Sequence, residues 1–429
     1  MVYLTGLLIL IVCVLIQFLL VKKKGVFALV NNPIGLSIIF YEIIHIIMPI
    51  LQWDKSYFRY ASSYDESIYI ISMAYSFLLY ICFIFLFFYF FNFFSKSPQL
   101  FLIKGKNSKN YLRFVWLIFL IGVYFSFNNI LRINSIGIDE YMSDRIGFSA
   151  GSGYKTLFSH WVYVACILFY IGSMVSDKKK LFIISFATSF SYCLLYYGIN
   201  SNRNSIFVLV LTLIVIFTIF GTYKKISRLA LLVRLFFVSL VCYLLYLVGE
   251  FRNTAFNRGS DDYGLVRSLN GAFGNHENIV WLLSNKYEVL LGNTYIASFL
   301  NLIPRALWPN KPFGGGPELK NMIYPGSYVL GQEGNSSLTT GLITEVLMNF
   351  GILGSIPAVF IISIFIFIIL VCVKKSKNPI LTILFIYLFT LFSTQFLYAE
   401  FLGFYTRTLF TCIPIIMLAF FVKFERKAL

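Results

Sequence analysis

The sequence predicts an all-α polytopic integral membrane protein with about 11 transmembrane helices and one large outer loop that contains short amphipathic helices. Three observations predict it. The residues are 59% hydrophobic and 19% aromatic, with a mean hydropathy of +0.80, far from the composition of soluble domains. Apolar runs of bilayer-spanning length recur along the chain, separated by short charged segments. The density of basic residues alternates from one connection to the next, which is the mark of a chain with two distinct membrane sides.

The first run, Val2 to Val21, ends at Lys22, Lys23 and Lys24. It has no basic segment before it and no small-residue cleavage site after it, so it reads as a retained anchor and not a cleaved signal peptide. Further spans are expected at Val26–Leu51, Ser67–Phe94, Arg113–Leu131, Thr156–Val175, Leu181–Ile199, Ser205–Gly221 and Leu229–Gly249. After a long polar stretch come Gly341–Val373, Ile380–Tyr398 and Tyr405–Val422. Each holds roughly the 20 mainly apolar residues that a helix needs to cross the hydrocarbon layer. The whole chain, 1–429, reads as one membrane domain, and residues 250–340 form its large loop.

One set of connections carries Lys22–Lys24, the group from Lys96 to Arg113, Lys178–Lys180, the group from Lys224 to Arg234, Lys374–Lys377 and the tail with Lys423, Arg426 and Lys427. These hold 17 Lys and 4 Arg against only Asp177 and Glu425. The other set has 5 Lys, 9 Arg and 16 acidic residues, counting Glu42 within its helix. The positive-inside rule makes the first set cytoplasmic, which puts the N-terminus and the large loop outside and the C-terminus inside. The net charge of +17 is thus scattered between apolar runs and does not form one solvated basic face, so no nucleic-acid partner is expected. Lysine suffices for topology. Arginine's planar fork matches phosphate, so its concentration on the outer side points to a phosphate-bearing ligand there, unless each arginine anchors a helix or pairs with an outer acid.

Within the loop, Asn275–Leu291 places Ile279, Leu282, Leu283, Tyr287, Leu290 and Leu291 at helical spacing, with Glu277, Asn278, Ser284 and Glu288 opposite. This predicts an amphipathic helix in the outer interface, anchored by Trp281 and stopped at Gly292. Thr294–Ile303 is a second apolar run, too short to span, which either dips into the membrane or packs on the first. Pro304 to Pro312, then Gly314–Gly316 and Pro317, predict an irregular backbone with Arg305 and Lys311 close to Trp308.

No Walker-type loop is present, because Gly314–Gly316 is followed by Pro317, and neither HExxH nor GxSxG occurs. The seven cysteines lie in apolar runs, too widely spaced for a zinc site or a CxxC pair. No metal, nucleotide or other cofactor is expected. The outer side offers arginines, a few carboxylates and His276 beside aromatic residues. Arginine stabilises a departing diphosphate, a carboxylate or imidazole takes the proton of an attacking hydroxyl, and Trp or Tyr faces stack on sugar rings. That set suits glycosyl transfer from a lipid diphosphate.

Asn301-Leu302-Ile303-Pro304-Arg305-Ala306-Leu307-Trp308-Pro309-Asn310-Lys311-Pro312, followed by Ser336-Ser337-Leu338-Thr339-Thr340-Gly341-Leu342-Ile343-Thr344-Glu345 and Asn349-Phe350-Gly351-Ile352-Leu353-Gly354, resembles the O-antigen and capsular polysaccharide repeat-unit polymerases, the Wzy-like proteins. The likeness is sharpest over about fifty residues and elsewhere rests on many helices and one large late loop. It implies a bacterial inner-membrane glycosyltransferase, kin to other membrane enzymes with lipid-linked donors. Such an enzyme joins undecaprenyl-diphosphate-linked oligosaccharide units at the periplasmic face. It works among membrane lipids and beside a chain-length regulator protein. Arg305 and Gly316 satisfy the family's Arg-x10-Gly pattern, a match that 28 glycines make easy to find.

Carried onto this chain, the resemblance assigns Arg305 to the diphosphate, with Arg203 and Arg252 behind it, each of which also fits an interfacial anchor. Lys311 and Trp308 flank the same loop as substrate contacts. Glu345 is an acid/base or sugar-binding residue, with Asn349 one turn on along the same face and Arg305 as the expected partner of its carboxylate. His276 beside Glu277 is a second candidate base or a structural histidine. Glu42 and His45 share a face of the second span, as a functional pair or a packing contact, and Glu400 is expected to pair with Arg407. Two other functions stay open: a ligase passing the finished glycan to an acceptor such as lipid A core, and a flippase of the lipid-linked unit. A flippase is expected to show polar residues near the bilayer midplane and two similar halves, neither of which the sequence displays.

Overall fold

The computed structural model describes residues 1–94, 101–137, 141, 153–200, 202–221, 269–271, 273–303, 307–329, 337–376 and 378–426. Among these, nine helices are long and apolar enough to cross a membrane, and the protein is an all-α multi-pass membrane protein. The helices are α1 (Val2–Lys24), α2 (Pro33–Asp54), α3 (Glu66–Tyr89), α4 (Gly105–Ile136), α5 (Leu157–Val175) and α6 (Lys179–Ile199). A shorter apolar helix follows, α7 (Arg203–Gly221). Three short helices come next, α8 (His276–Ser284), α9 (Asn293–Phe299) and α10 (Gly315–Ile323). The last three spans are α11 (Gly341–Lys375), α12 (Pro379–Tyr398) and α13 (Phe401–Phe421). The expected span Leu229–Gly249 lies outside the described residues.

Local chemistry explains the helix starts. The second span begins at Pro33 and not near Val26: Asn32 is extended and its side chain accepts the Ile34 N–H, while Pro33 occupies a first-turn position that needs no donor. Ala28–Asn31 forms a separate single turn before it. Asp65 caps α3 through the Ser67 N–H, and Asn378 with Pro379 repeats the Asn-Pro device at the start of α12. Inside α2, Ile43–Ile47 is a π-helical turn. In α11, Gly351 takes φ 65 and ψ −174, a conformation open almost only to glycine, and breaks the helix.

The most enclosed helix is α12, apolar all round and surrounded by α2, α7, α11 and α13. Next in burial is α5, held among α4, α6, α7 and α13. By contrast α1 exposes Leu7, Leu8, Leu15 and Phe18, the broad apolar face of a lipid-contacting helix.

The connections gather at two ends, as the charge alternation requires. At the lysine-rich end, β1 (Phe101–Leu102) pairs antiparallel with β2 (Glu425–Arg426), Ile103 bridges to Ser176, and Lys374 Nζ donates to Phe94 O at 2.6 Å. At the other end, the Met1 amine meets Glu66 at 2.7 Å, Asn275 donates to Tyr398 O, and the Gly316 N–H donates to Glu400.

The segment 275–291 departs from its expected place in the interface. α8 stops at Ser284, and His276, Glu277 and Asn278 are each 0% exposed. Packed against α3 and α11, the helix turns its polar residues inward because each finds a partner there. Gly292, with φ 87, stands at the start of α9 and does not terminate α8. The second run, Thr294–Ile303, packs against α13 and α11. The glycine run is less irregular than expected, since Gly315, Gly316 and Pro317 form the first turn of α10.

Candidate functional site

Gly341 sets the position of the site. A Cβ there would come within 2.4 Å of Leu397 O, so α11 starts directly on the backbone at the end of α12, with φ 74 at the glycine. One turn later, Glu345 faces the connection between α12 and α13. Its Oε2 accepts the Phe401 N–H at 2.8 Å and the Thr340 hydroxyl at 3.2 Å. The Phe401 N–H belongs to the first turn of α13, where free N–H groups and the helix dipole favour a carboxylate. The second oxygen, Oε1, is buried and makes no hydrogen bond of normal geometry, although the Thr294 hydroxyl is close enough to act on the carboxylate; the nearby Tyr295 hydroxyl is also unpartnered.

A second carboxylate lies beside the first. Glu400 Oε2 accepts the Gly316 N–H at 2.8 Å, in the first turn of α10, so each glutamate serves the N-terminus of a different helix. Burial raises the Glu400 pKa above the usual carboxylate range, and the bond from Gly316 works against that rise. The glycine run threads between the two acids. A Cβ on Gly315 would stand 2.8 Å from Glu345 Oε1, and one on Gly316 would stand 2.7 Å from Glu400 Oε2 and 2.3 Å from Leu338 O. Side chains would displace both carboxylates, which is the steric reason for glycine here. The sequence reading did not place Glu400 in the site. Its own expected partner, Arg407, makes no ion pair with it among the described residues.

Asn349 is committed to structure. Its Nδ2 donates to Thr294 Oγ1 at 2.8 Å and to Glu345 O at 2.7 Å, and its Oδ1 accepts the Thr294 N–H at 3.4 Å. It therefore fastens the start of α9 to the Glu345 turn. Lys311 is likewise occupied: Nζ donates to Ile303 O at 2.9 Å and to Asn301 O and Oδ1 at 3.4 Å, which ties off the proline-rich loop. Trp308 is 39% exposed and keeps an open aromatic face beside that tie. Arg305 and Arg252 lie outside the described residues, as does the side chain of Arg203, whose backbone opens α7. The expected Arg305–Glu345 contact falls there too.

His276 belongs to a separate network. The Ser72 hydroxyl donates to Tyr69 O at 2.7 Å, so its oxygen accepts from His276 Nε2–H at 3.0 Å. That leaves His276 Nδ1 to accept from His45 Nδ1–H at 3.1 Å, and His45 Nε2 remains unpartnered. The π-helical turn in α2 carries His45 to this contact. Burial pushes the His276 pKa down to about 3, so the ring is neutral, and no hydrogen bond joins it to Glu345. His45 thus pairs with His276, while its neighbour Glu42 accepts from Gln17 at 2.8 Å.

Next to His276, Glu277 accepts from the Arg59 N–H, Arg59 Nε, the Tyr60 N–H, the Tyr64 hydroxyl and Gln52. Arg59 also donates to Gly274 O, so this arginine is a structural brace. Among the described residues, Glu345 Oε1 and the Tyr295 hydroxyl are unpartnered beside Glu400 and the glycine turn, while His45 Nε2 and Asn270 Nδ2 are unpartnered in the other network. No protein-family model, characterised protein or solved structure matches the chain.

Proposed function

We propose that this protein is a glycosyltransferase that joins polyprenyl-diphosphate-linked oligosaccharide repeat units, as the resemblance of residues 301–354 to Wzy-like polymerases implies. The lysine-rich end is cytoplasmic in this reading, and the end bearing Glu345 faces the periplasm. The observation that carries the proposal is the Glu345 carboxylate, fixed through one oxygen and unpartnered at the other, at the end of the bundle where the large loop gathers. A carboxylate so placed takes the proton of an acceptor hydroxyl. The new bond forms between that oxygen and the donor's anomeric carbon, the carbon–oxygen bond to the diphosphate breaks, and the polyprenyl diphosphate leaves with the electron pair. Arginine of the loop, Arg305 first, stabilises the charge that develops on the leaving group. The Trp308 face offers a stacking surface for a sugar.

The test is elongation by the purified protein in liposomes loaded with a lipid-linked repeat unit. A ladder of longer lipid-linked glycans is expected. Movement of the unit across the bilayer without lengthening would establish a flippase instead. Transfer only to lipid A core, in cells whose deletion strain leaves no repeat unit on the lipopolysaccharide, would establish a ligase.

A further inference from the structure

The section of α11 that carries Glu345 is a helix in its own right, closed by another part of the chain. In an unbroken helix Met348 O accepts the N–H of Ile352, four residues on. Gly351, at φ 65 and ψ −174, turns that N–H away, and the Leu290 N–H takes its place at 3.0 Å. One residue earlier, Leu347 O accepts the Tyr287 hydroxyl at 3.0 Å, and one residue later the Asn349 side chain is bonded to Thr294. Three successive residues at the end of this section are thus fastened to the stretch that joins α8 to α9. Beyond the break, Ile352 O accepts the Tyr75 hydroxyl of α3 at 2.6 Å, so the two sections of α11 are held separately.

The joining stretch carries backbone strain to make these bonds. Leu291 takes φ 51, in the left-handed region that a bulky side chain rarely adopts, and it is 80% exposed, so no packing offsets the cost. That conformation directly follows the Leu290 N–H on Met348 O and leads into Gly292, which opens α9. A straight α11 is open to the same chain: a helical Gly351 would return the Ile352 N–H to Met348 O and displace Leu290. Glu345 lies six residues from the break, about 9 Å at 1.5 Å per residue, so a change of about 20° in the bend carries its carboxylate about 3 Å. A displacement of about 1 Å at a reacting group can cost about 10²-fold in rate.

We infer that the stretch Tyr287–Gly292 is a clamp that holds the Glu345 carboxylate in place, with Tyr287 a positioning residue that acts through Leu347 O. The inference deepens the proposed function, in which Glu345 is the base, but the placement of the carboxylate requires no glycosyl transfer.

Residue-resolved amide exchange on full-length protein in nanodiscs reads that placement. The Phe401 N–H, in the first turn of α13, is held by Glu345 Oε2, the Leu290 N–H by Met348 O, and the Gly316 N–H by Glu400. Tyr287→Phe removes a single oxygen and should speed exchange at Leu290 and Phe401 about fivefold, the worth of one neutral hydrogen bond, while Gly316 keeps its wild-type rate. Gly351→Ala, which disfavours the bend, should speed the same two amides further. Unchanged exchange at Phe401 in either variant would overturn the inference. So would equal acceleration at all three amides, which marks general loosening and not the loss of a clamp. If one variant fails to accumulate, the other decides. In the liposome assay Tyr287→Phe should lower kcat about fivefold or more, with KM within about twofold of wild type. Wild-type protein that elongates no glycan would sink the polymerase reading and leave the clamp to the exchange result. Faster Phe401 exchange with undiminished elongation would remove Glu345 from the chemistry and leave the clamp standing.

Discussion

Replacing Glu345 by glutamine separates chemistry from folding. Glutamine keeps a carbonyl oxygen where Oε2 accepts the Phe401 N–H at 2.8 Å and the Thr340 hydroxyl at 3.2 Å. Each bond becomes neutral, a loss of about 1 kcal/mol, but a buried charge disappears at the same time, so net stability should move by no more than about 1 kcal/mol. Alanine instead strips the Phe401 N–H of its acceptor and leaves a void, at a cost of about 2–4 kcal/mol. If Glu345 is the base, however, both variants lose it, and elongation should fall by about 10²- to 10⁴-fold in each. Thermal unfolding in detergent and the liposome ladder measure the two quantities on the same preparations. Wild-type glycan length from Glu345→Gln, at equal protein, would remove Glu345 from the chemistry, and a large melting shift in that variant would show that its second oxygen has a partner.

Three further substitutions probe the surrounding frame. Glu277→Ala takes the acceptor from two Arg59 groups, Tyr60, Tyr64 and Gln52, and should cost about 3–5 kcal/mol, seen as loss of membrane accumulation; a stable, abundant variant would refute the brace. Gly351→Ala forces an L side chain onto φ 65 and ψ −174 and should lower the melting temperature by the equivalent of about 1–3 kcal/mol, whereas an unchanged value would mean that the α11 break is not imposed by backbone geometry. Arg305→Lys should be nearly as inactive as Arg305→Ala, because lysine lacks the bidentate fork; full polymer length with lysine, at normal protein level, would exclude the leaving-group role.

Much of the architecture was legible in the sequence because membrane insertion imposes a one-dimensional code. Hydropathy and length marked the spans, and the lysine clusters sorted the connections into two sets that the structure gathers at opposite ends. Segments whose polarity is satisfied by distant partners were misread. Glu277 and Asn278 looked like the wet face of an interfacial helix, but Arg59, Tyr60 and Thr339, far away in sequence, draw them into the interior. Pro33 moved the start of the second span by a rule of first-turn hydrogen bonding that an apolar run conceals.

By itself, then, the sequence determined a many-helix membrane protein with charge-sorted connections and singled out Glu345 as a candidate, since each follows from transfer free energy read residue by residue. Only the tertiary structure decided which polar groups are spent and which remain. It joined Glu345 to Glu400 across the Gly315–Gly316 turn, committed Asn349 and Lys311 to local fastening, and left Arg407 without the glutamate that adjacency suggested. Hydrogen-bond satisfaction is a property of three-dimensional neighbours, and no spacing along the chain encodes it.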